Sequence, residues 1–285
     1  MIKDYISLPS PALYSDPIPQ RNLKELLAEE SDLFSFCTQT SRPFLFKNIF
    51  EVLPTLKNWS PEFLKEKIGN KIVSVNTSKT GVFQEYHNEI PLDFKSYTDI
   101  VTSDGLHNGS KVYMGGQVIN KDFPELIPEI KFDTLLPKEK IGSKYLWFGP
   151  GNNVTGLHYD ASYNFFVQLY GSKRFLFSAP SNFKKLYPRS AFSNYPMVSD
   201  VNPLELDDKK FPKAKSVRYY DIKIDAGSAL YIPPYWWHQV ISRDLIISVN
   251  LYCDTPKFLP EYGSFHLLPT YIRTLLKDTI LTDRS

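Results

Sequence analysis

The stretch Gly227-Ser-Ala-Leu-Tyr-Ile-Pro-Pro-Tyr-Trp-Trp-His238 shows the pattern that decides the fold. Residues 228–232 form a short run of aliphatic and aromatic residues between turn-forming residues, which is typical of a β-strand. From about residue 111 onward, further runs of this kind follow one another with turn residues between them. They are Lys111–Val118, Lys144–Phe148, Asn164–Tyr170, Arg174–Ser178, Val217–Ile224 and Leu245–Tyr252. Many short strands at this spacing predict a mainly β sandwich or barrel, and not a parallel sheet with crossover helices.

The part of the chain before residue 111 has fewer strand-like runs and more helical patterns. A proline-rich lead precedes a helical pattern near Asn22–Cys37, and Arg42–Lys47 predicts a short strand. A helix is expected to begin at Ser60 and Pro61, because serine caps a helix start and proline suits the first turn. The alternation over Ile72–Asn76 predicts another strand.

Composition narrows the class of protein. The 285 residues include only two cysteines, too few for a disulfide framework or a zinc cluster. The net charge of +2 neither requires nor excludes a nucleic-acid partner. The sequence shows no signal peptide and no apolar run of membrane-spanning length, which predicts a cytoplasmic protein, or a nuclear one in a eukaryote.

Two of the five histidines occur in contexts that suggest metal ligands. His158 and Asp160 are two residues apart, so in a strand both side chains would point to the same face. His238 would come from another strand of the same barrel. Two imidazoles and one carboxylate on one side of a cation leave the other positions free, which suits Fe(II) that must also bind O₂ and a cosubstrate.

A simpler interpretation exists for each of these residues. A His-x-Asp triplet arises by chance in many proteins, and a buried histidine beside tryptophans is often only a core residue. The combination is more specific than its parts, because both pieces lie in strand-rich segments of one domain. His87, His107 and His266 have no comparable context and are predicted to be surface or structural residues.

A cosubstrate with two carboxylates needs a cation and hydroxyl donors beside the metal, because a buried carboxylate is costly unless it is paired. Lys173 and Arg174 follow the turn Tyr170-Gly-Ser172 and are both candidates for that cation. Alternation along a strand lets only one of them face inward. Thr155 lies three residues before His158 and offers a hydroxyl.

Together these motifs resemble the JmjC-type, cupin-like oxygenases that depend on Fe(II) and 2-oxoglutarate. The resemblance covers roughly residues 145–256 and is thin before residue 110. Within that family the motifs are most similar to those of the asparaginyl hydroxylases that act on hypoxia-inducible factor. The segments that carry it are Asn153-Val-Thr-Gly-Leu-His-Tyr-Asp160, Asn164-Phe-Phe-Val-Gln168, Gly171-Ser-Lys-Arg174, Gly227–His238 and Ser248-Val-Asn-Leu-Tyr252.

The resemblance implies a double-stranded β-helix, a jelly-roll barrel with flanking α-helices, and a role for each matched residue. His158, Asp160 and His238 would bind iron. Lys173, Thr155 and Tyr113 would hold the distal carboxylate of 2-oxoglutarate. Asn164 and Asn250 would lie near its iron-bound end. The substrate pocket would be lined by Trp147, Trp237 and Tyr252, with plain core packing as the alternative for each aromatic residue.

One departure from the pattern concerns the substrate. The asparaginyl hydroxylases grip their target with an Arg-Gln pair in a long loop, and the equivalent positions here are Asn194 and Tyr195. The resemblance therefore implies the same hydroxylation chemistry, but not the same residues for holding the substrate. Hydroxylation of a protein or peptide side chain is the first expectation. The alternatives are a lysine demethylase, a tRNA-modifying hydroxylase, a small-molecule or natural-product hydroxylase, and a non-catalytic cupin binding module.

Three parts of the chain follow from these interpretations. Residues 1–40 are predicted to form a lead with a helix, 41–258 the JmjC/cupin barrel, and 259–285 a C-terminal helix. That helix carries an apolar stripe of Leu268, Ile272, Leu275 and Leu276. The stripe would either join two copies of the chain in a homodimer or pack back onto its own barrel.

Overall fold

The computed structural model describes residues 3–30, 32–40, 42–84, 88–253, 266, 268 and 269. Within these residues the chain forms fifteen strands and six short α-helices, with single 3₁₀ turns between some of them. The strands are β1 Gln20–Asn22, β2 Phe44–Lys47, β3 Ile72–Ser78, β4 Val82–Phe83, β5 Glu89–Asp93, β6 Leu106–His107, β7 Ser110–Val118, β8 Ile141–Gly149, β9 Asn153–His158, β10 Asn164–Tyr170, β11 Ser172–Ser178, β12 Tyr220–Asp225, β13 Ser228–Ile232, β14 Trp237–Ser242 and β15 Ile246–Cys253. The helices are α1 Leu23–Glu29, α2 Leu33–Gln39, α3 Ile49–Val52, α4 Pro61–Ile68, α5 Phe94–Thr102 and α6 Ile119–Asp122.

The strands of the described residues belong to two sheets. One has the order β1-β2-β13-β10-β15-β8-β7-β3-β5, with β6 paired to β7, and the other has the order β12-β11-β14-β9-β4. Neighbours in the barrel part are antiparallel and are mostly not consecutive in sequence, as in β13-β10-β15 and β11-β14-β9. This confirms the prediction of a mainly β jelly-roll barrel with flanking helices.

Strand β10 of the larger sheet is buried on both faces. Along β10, Phe165 and Val167 point away from the barrel into a cluster that also contains Leu23 of α1 and Phe46 of β2. Phe166, between them, points inward against Phe175 of β11, with ring centroids 5.0 Å apart. The helices of the first half of the chain therefore cover the outer face, and the space between the two sheets forms the interior.

Most of the predicted local structure is present. Ser60 caps α4, its hydroxyl accepting a hydrogen bond from the backbone N–H of Phe63 at 3.1 Å. The predicted strands all occur, with ends shifted by a few residues. The helical pattern near Asn22–Cys37 is divided into two helices, because the Asp32 side chain accepts from the backbone N–H of Ser35 and starts a second one.

The two ends of the chain were predicted to form an N-terminal lead with a helix and a C-terminal helix. Helices α1 and α2 pack into the same hydrophobic cluster as barrel strands, and the boundary at residue 40 stays a prediction. Of the predicted C-terminal helix the structure describes His266, Leu268 and Pro269, which are helical, and Leu268 is exposed; the other residues of the stripe lie outside the described residues. In the described parts of the chain, every helix is too short or too polar to cross a membrane.

A buried ion pair fastens the N-terminal segment to the smaller sheet. Arg174 of β11 donates to Asp221 of β12 at 2.6 Å, and both side chains are at most 10% exposed. The same guanidinium also donates to the backbone oxygen of Leu8 and to the Ser10 hydroxyl. Loss of one partner would leave an uncompensated charge in the interior.

We therefore expect Asp221→Ala to lower the free energy of unfolding by about 3–5 kcal/mol. Asp225→Ala, on the same strand, removes an exposed pair with Lys223 and should cost less than about 1 kcal/mol. Chemical denaturation of both variants measures the difference. Equal losses would show that the buried pair contributes no more than a surface pair.

Candidate metal centre

His158, Asp160 and His238 converge at one end of the smaller sheet. His158 ends β9 and is paired in register with His238 at the start of β14. One ligand atom from each residue lies within 4.8 Å of the others, and the two imidazole centroids are 4.1 Å apart. Nitrogen and carboxylate donors at this spacing form a set that a divalent transition metal can bind.

The expectation that Asp160 shares a strand face with His158 is wrong. Strand β9 stops at His158, and Asp160 lies in the loop that follows it. The backbone oxygen of Asp160 accepts a hydrogen bond from the N–H of Tyr235 at 2.7 Å, which ties this loop to the turn before β14. The carboxylate is therefore brought to the histidines by a loop contact and not by strand alternation.

Both imidazoles are held by backbone carbonyls. The Nδ1 of His158 lies 2.7 Å from the oxygen of Gly156, and the Nδ1 of His238 lies 2.9 Å from that of Trp236. An Nδ1–H that donates to a carbonyl leaves the Nε2 lone pair for a metal. Burial, and then the neighbouring His158, lower the pKa of His238 to about 4, so this imidazole is neutral near pH 7.

A polar network holds the carboxylate. Oδ2 of Asp160 accepts from the side-chain amide of Asn164 at 3.3 Å and from the Tyr252 hydroxyl at 3.1 Å. The amide of Asn250 donates to Asn164 Oδ1 at 2.8 Å and fixes the orientation of that amide. The two asparagines thus lie behind the carboxylate. The contact of Tyr252 with a ligand was not predicted, since nothing in the sequence distinguishes a pocket-lining tyrosine from one that donates to a ligand.

Lys173 lies in the same interior, 3% exposed. Its Nζ is 3.3 Å from the Tyr113 hydroxyl and lies over the rings of Trp147 and Phe166 at 5.6 and 5.1 Å. Among the residues that the structure describes, none brings a carboxylate to this ammonium. Burial therefore lowers its pKa to about 7.

The competition between Lys173 and Arg174 has a clear outcome. Lys173 faces the interior and Arg174 the outer side of β11, as alternation requires. Arg174 is nevertheless buried, because the N-terminal segment covers that side of the sheet. Its charge is matched by Asp221, whereas the charge of Lys173 is matched by nothing described around it.

One cavity joins Lys173 to the two histidines of the candidate metal site. Its lining includes Tyr113, Thr155, Lys173, His158, Asn164, His238 and Asn250. Trp147 and Tyr252 line it too and also border a wider outer cleft of about 760 Å³, to which Asp160 is exposed. A small charged ligand in the inner cavity would therefore lie beside the two histidines, and a larger substrate in the outer cleft would lie beside Asp160.

Trp237 and the loop residues Asn194 and Tyr195 do not line either space. Trp237 precedes His238 in β14, so its side chain points to the opposite face and packs against Tyr159 with ring centroids 4.7 Å apart. Asn194 is exposed and Tyr195 half-buried, in a loop whose Met197 does border the outer cleft.

His107 and His266 are not part of the candidate metal-binding group. His107 lies in the short strand β6. His266 contacts the backbone oxygen of Arg189 at 2.6 Å. His87 is outside the described residues.

The chain is similar to a known domain family and to several characterised proteins. The family model described as "cupin-like domain" matches residues 30–257. Lysine-specific demethylase 8 of Xenopus tropicalis is 27% identical over 221 residues, which are 74% of this chain and 48% of that protein. The bifunctional peptidase and (3S)-lysyl hydroxylase JMJD7 of Homo sapiens is 25% identical over 263 residues, 80% of this chain and 82% of that protein.

One further match covers a shorter stretch of the chain. The tRNA wybutosine-synthesizing protein 5 of Homo sapiens is 31% identical over 134 residues, 47% of this chain and 41% of that protein. The chain spans about half the length of several of the curated relatives it matches.

The geometry predicts one binding site for a divalent metal. In calorimetric titration of the metal-free protein with Mn(II), His158→Ala and His238→Ala should abolish measurable binding. Tyr252→Phe, which removes only the hydroxyl on Asp160, should weaken it by about tenfold. His107→Ala is the matched control and should bind as the wild type does. Unchanged affinity in either ligand variant would place the metal elsewhere.

Proposed function

The chain belongs to the cupin-like domain family, and on that premise we propose that it is an Fe(II)- and 2-oxoglutarate-dependent oxygenase that hydroxylates a side chain of a protein or peptide. One observation carries this proposal. A buried lysine with no carboxylate partner among the described residues shares a cavity with two imidazoles, and a carboxylate beside these imidazoles completes a group that could hold a metal. A ligand with one carboxylate for the lysine and another oxygen group for the metal fits both features.

The donor set suits iron. His158, Asp160 and His238 would occupy one side of the ion and leave positions for O₂ and a cosubstrate. When bound, the iron would supply the oxidation of an unactivated C–H bond by O₂, coupled to conversion of 2-oxoglutarate to succinate and CO₂. The protein supplies binding, orientation and exclusion of water.

The cosubstrate would be held by side chains of both sheets. Lys173 would pair with the distal carboxylate, and the hydroxyls of Tyr113 and Thr155 would donate to it. Asn164 and Asn250 would orient the ligand carboxylate of Asp160 through their linked amides.

The outer cleft supports a polymer side chain as the substrate. It is wide, borders Asp160 and is lined by the aromatic rings of Tyr145, Trp147 and Tyr252. Glu89 is the other carboxylate among its described lining residues, and these include no lysine or arginine. Aromatic faces with one carboxylate favour a cationic side chain such as lysine or arginine. The human relative that the chain matches over most of its length is named a lysyl hydroxylase.

Other substrates remain to be separated by experiment. Similarity to the asparaginyl hydroxylases of hypoxia-inducible factor stays a prediction, and Asn194 and Tyr195 do not border the cleft. Demethylation and tRNA modification are the activities suggested by the names of two relatives. A small-molecule substrate, a cytoplasmic location and pairing through residues 259–285 stay predictions.

The reaction class is tested by incubating the protein with Fe(II), 2-oxoglutarate and a peptide library whose central residue is Lys, Arg, Asn or His. We expect peptide-dependent succinate and a mass increase of one oxygen atom, both lost in Asp160→Ala. Release of formaldehyde from N-methylated peptides would indicate demethylation instead. Peptide-dependent succinate at the wild-type rate in Asp160→Ala would contradict the proposal.

The pKa of Lys173 predicts how cosubstrate binding depends on pH. With a pKa of about 7 the amine is charged below pH 7 and neutral above it. A dianion binds the charged form, so its affinity should fall as pH rises, by about tenfold per unit once the pH exceeds the pKa. Titration of 2-oxoglutarate into the Mn(II) protein from pH 6.5 to 9 measures this.

Lys173→Met is the control for that titration. It should bind 2-oxoglutarate more weakly at pH 6.5 and lose most of the pH dependence. Wild-type affinity that stays constant over this range would show that Lys173 does not titrate there, and equal affinities of the wild type and Lys173→Met at pH 6.5 would show that Lys173 does not pair with the ligand.

A further inference from the structure

A basic surface is formed by six exposed lysines in two neighbouring segments of the chain, none of which lines the inner cavity or the outer cleft. We define this basic face by Lys184, Lys185, Lys209, Lys210, Lys213 and Lys215. Segments 184–185 and 207–215 contain these six lysines and two acidic residues, a net charge of +4. The whole chain carries +2, so the remaining residues together carry −2. The near neutrality of the chain therefore conceals a local concentration of positive charge.

Packing brings the two segments together. The rings of Tyr187 and Phe211 are in contact, with centroids 5.3 Å apart and edge to face. The Tyr187 hydroxyl accepts a hydrogen bond from the backbone N–H of Lys213 at 3.1 Å. The turn that contains Lys184 and Lys185 is therefore adjacent to the turn that contains Lys213 and Lys215.

The charges of the basic face are largely unmatched. Lys215 lies 3.6 Å from Asp208, and the other five lysines form no ion pair with a described residue. The side chain of Asp207 accepts hydrogen bonds from the backbone N–H groups of Lys209 and Lys210, so it stabilises the turn and forms no ion pair with these lysines. Like charges held on a rigid surface repel one another, and a bound polyanion would relieve that repulsion.

A hydrophobic cluster makes the basic face rigid and connects it to the metal ligands. Phe211 and Ala214 are buried in the same cluster as Tyr159, which lies between two ligands, and Trp237, which precedes the third. From Tyr187 the chain continues into the loop whose Val198 forms a β-bridge with His158. A polymer bound on this face would therefore lie beside the loop that borders the outer cleft.

We propose that the basic face binds the phosphate backbone of a nucleic acid. This inference goes beyond the proposed hydroxylase activity and does not depend on it. Lysine side chains bind phosphates as point charges, and binding gains mainly from the release of counterions. None of the large exposed hydrophobic residues in the described part of the chain lies in segments 184–185 or 207–215. A protein partner would need such an apolar anchor at the centre of its interface, whereas a phosphate backbone does not.

The experiment measures binding of labelled unfractionated transfer RNA and of duplex DNA to the full chain between 50 and 300 mM KCl. Contacts with about four phosphates give a log–log salt slope of about −3 to −4. Replacement of Lys184, Lys185, Lys213 and Lys215 by Gln should weaken binding by about 30-fold or more at 100 mM salt and flatten the slope. The same four positions changed to Arg should keep most of the affinity.

The matched control removes the same amount of charge from other exposed positions, Lys24, Lys57, Lys95 and Lys121, and should bind as the wild type does. Metal binding by each variant verifies that it is folded. A preference for transfer RNA or for DNA identifies the source of the phosphates. The proposal is overturned if neither nucleic acid binds at 100 mM salt, or if the two sets of variants weaken binding equally. Tighter binding to polyglutamate, or to phosphatidylserine vesicles, would also overturn it in favour of an acidic protein or a membrane.

Discussion

Two histidine side chains, each fixed by a hydrogen bond from Nδ1 to a backbone carbonyl, set the constraint on which the rest of the site depends. The carbonyls belong to residues two positions earlier, Gly156 and Trp236, so the local backbone of β9 and of the turn before β14 orients each ring. Antiparallel pairing of the two strands then places the rings 4.1 Å apart. An imidazole that turned about χ2 would lose its carbonyl partner and leave a buried donor unsatisfied, which costs about 1–3 kcal/mol.

The second constraint is the burial of charge. Lys173 is buried in the inner cavity, whereas Asp160 is partly exposed to the outer cleft and lies beside the two histidines that line the inner cavity. Asp160 is stabilised by the amide of Asn164 and the hydroxyl of Tyr252, while among the described residues no carboxylate is paired with Lys173, which contacts the Tyr113 hydroxyl. This asymmetry is unfavourable for stability alone, because an unmatched buried cation lowers the free energy of unfolding. It is what a site for a small anion requires.

Strands, a helix start and the histidine motifs could be predicted from the sequence, because in each case the residue type itself has a known structural role. Alternating strands, the Ser60–Pro61 helix start and the two histidine motifs could be recognised because the pattern and the physical cause coincide. The sequence did not reveal the positions of residues that are set by contacts with distant segments of the chain. Arg174 is buried by a segment more than 160 residues away in sequence, and Asp160 is positioned by a loop contact with Tyr235. Trp237 could have been excluded from the pocket from its neighbour His238 alone, since adjacent strand residues face opposite sides.

The most direct test of the account is an anaerobic crystal structure with Fe(II) and 2-oxoglutarate, using anomalous diffraction at the iron absorption edge. The account predicts a single strong peak within about 2.0–2.2 Å of Nε2 of both His158 and His238 and of an Asp160 oxygen, typical lengths for nitrogen and oxygen ligands of a divalent metal. The distal carboxylate of 2-oxoglutarate should lie within hydrogen-bonding distance of Lys173 Nζ. A peak bound by other residues, or a cosubstrate that leaves Lys173 without a carboxylate partner, would contradict it.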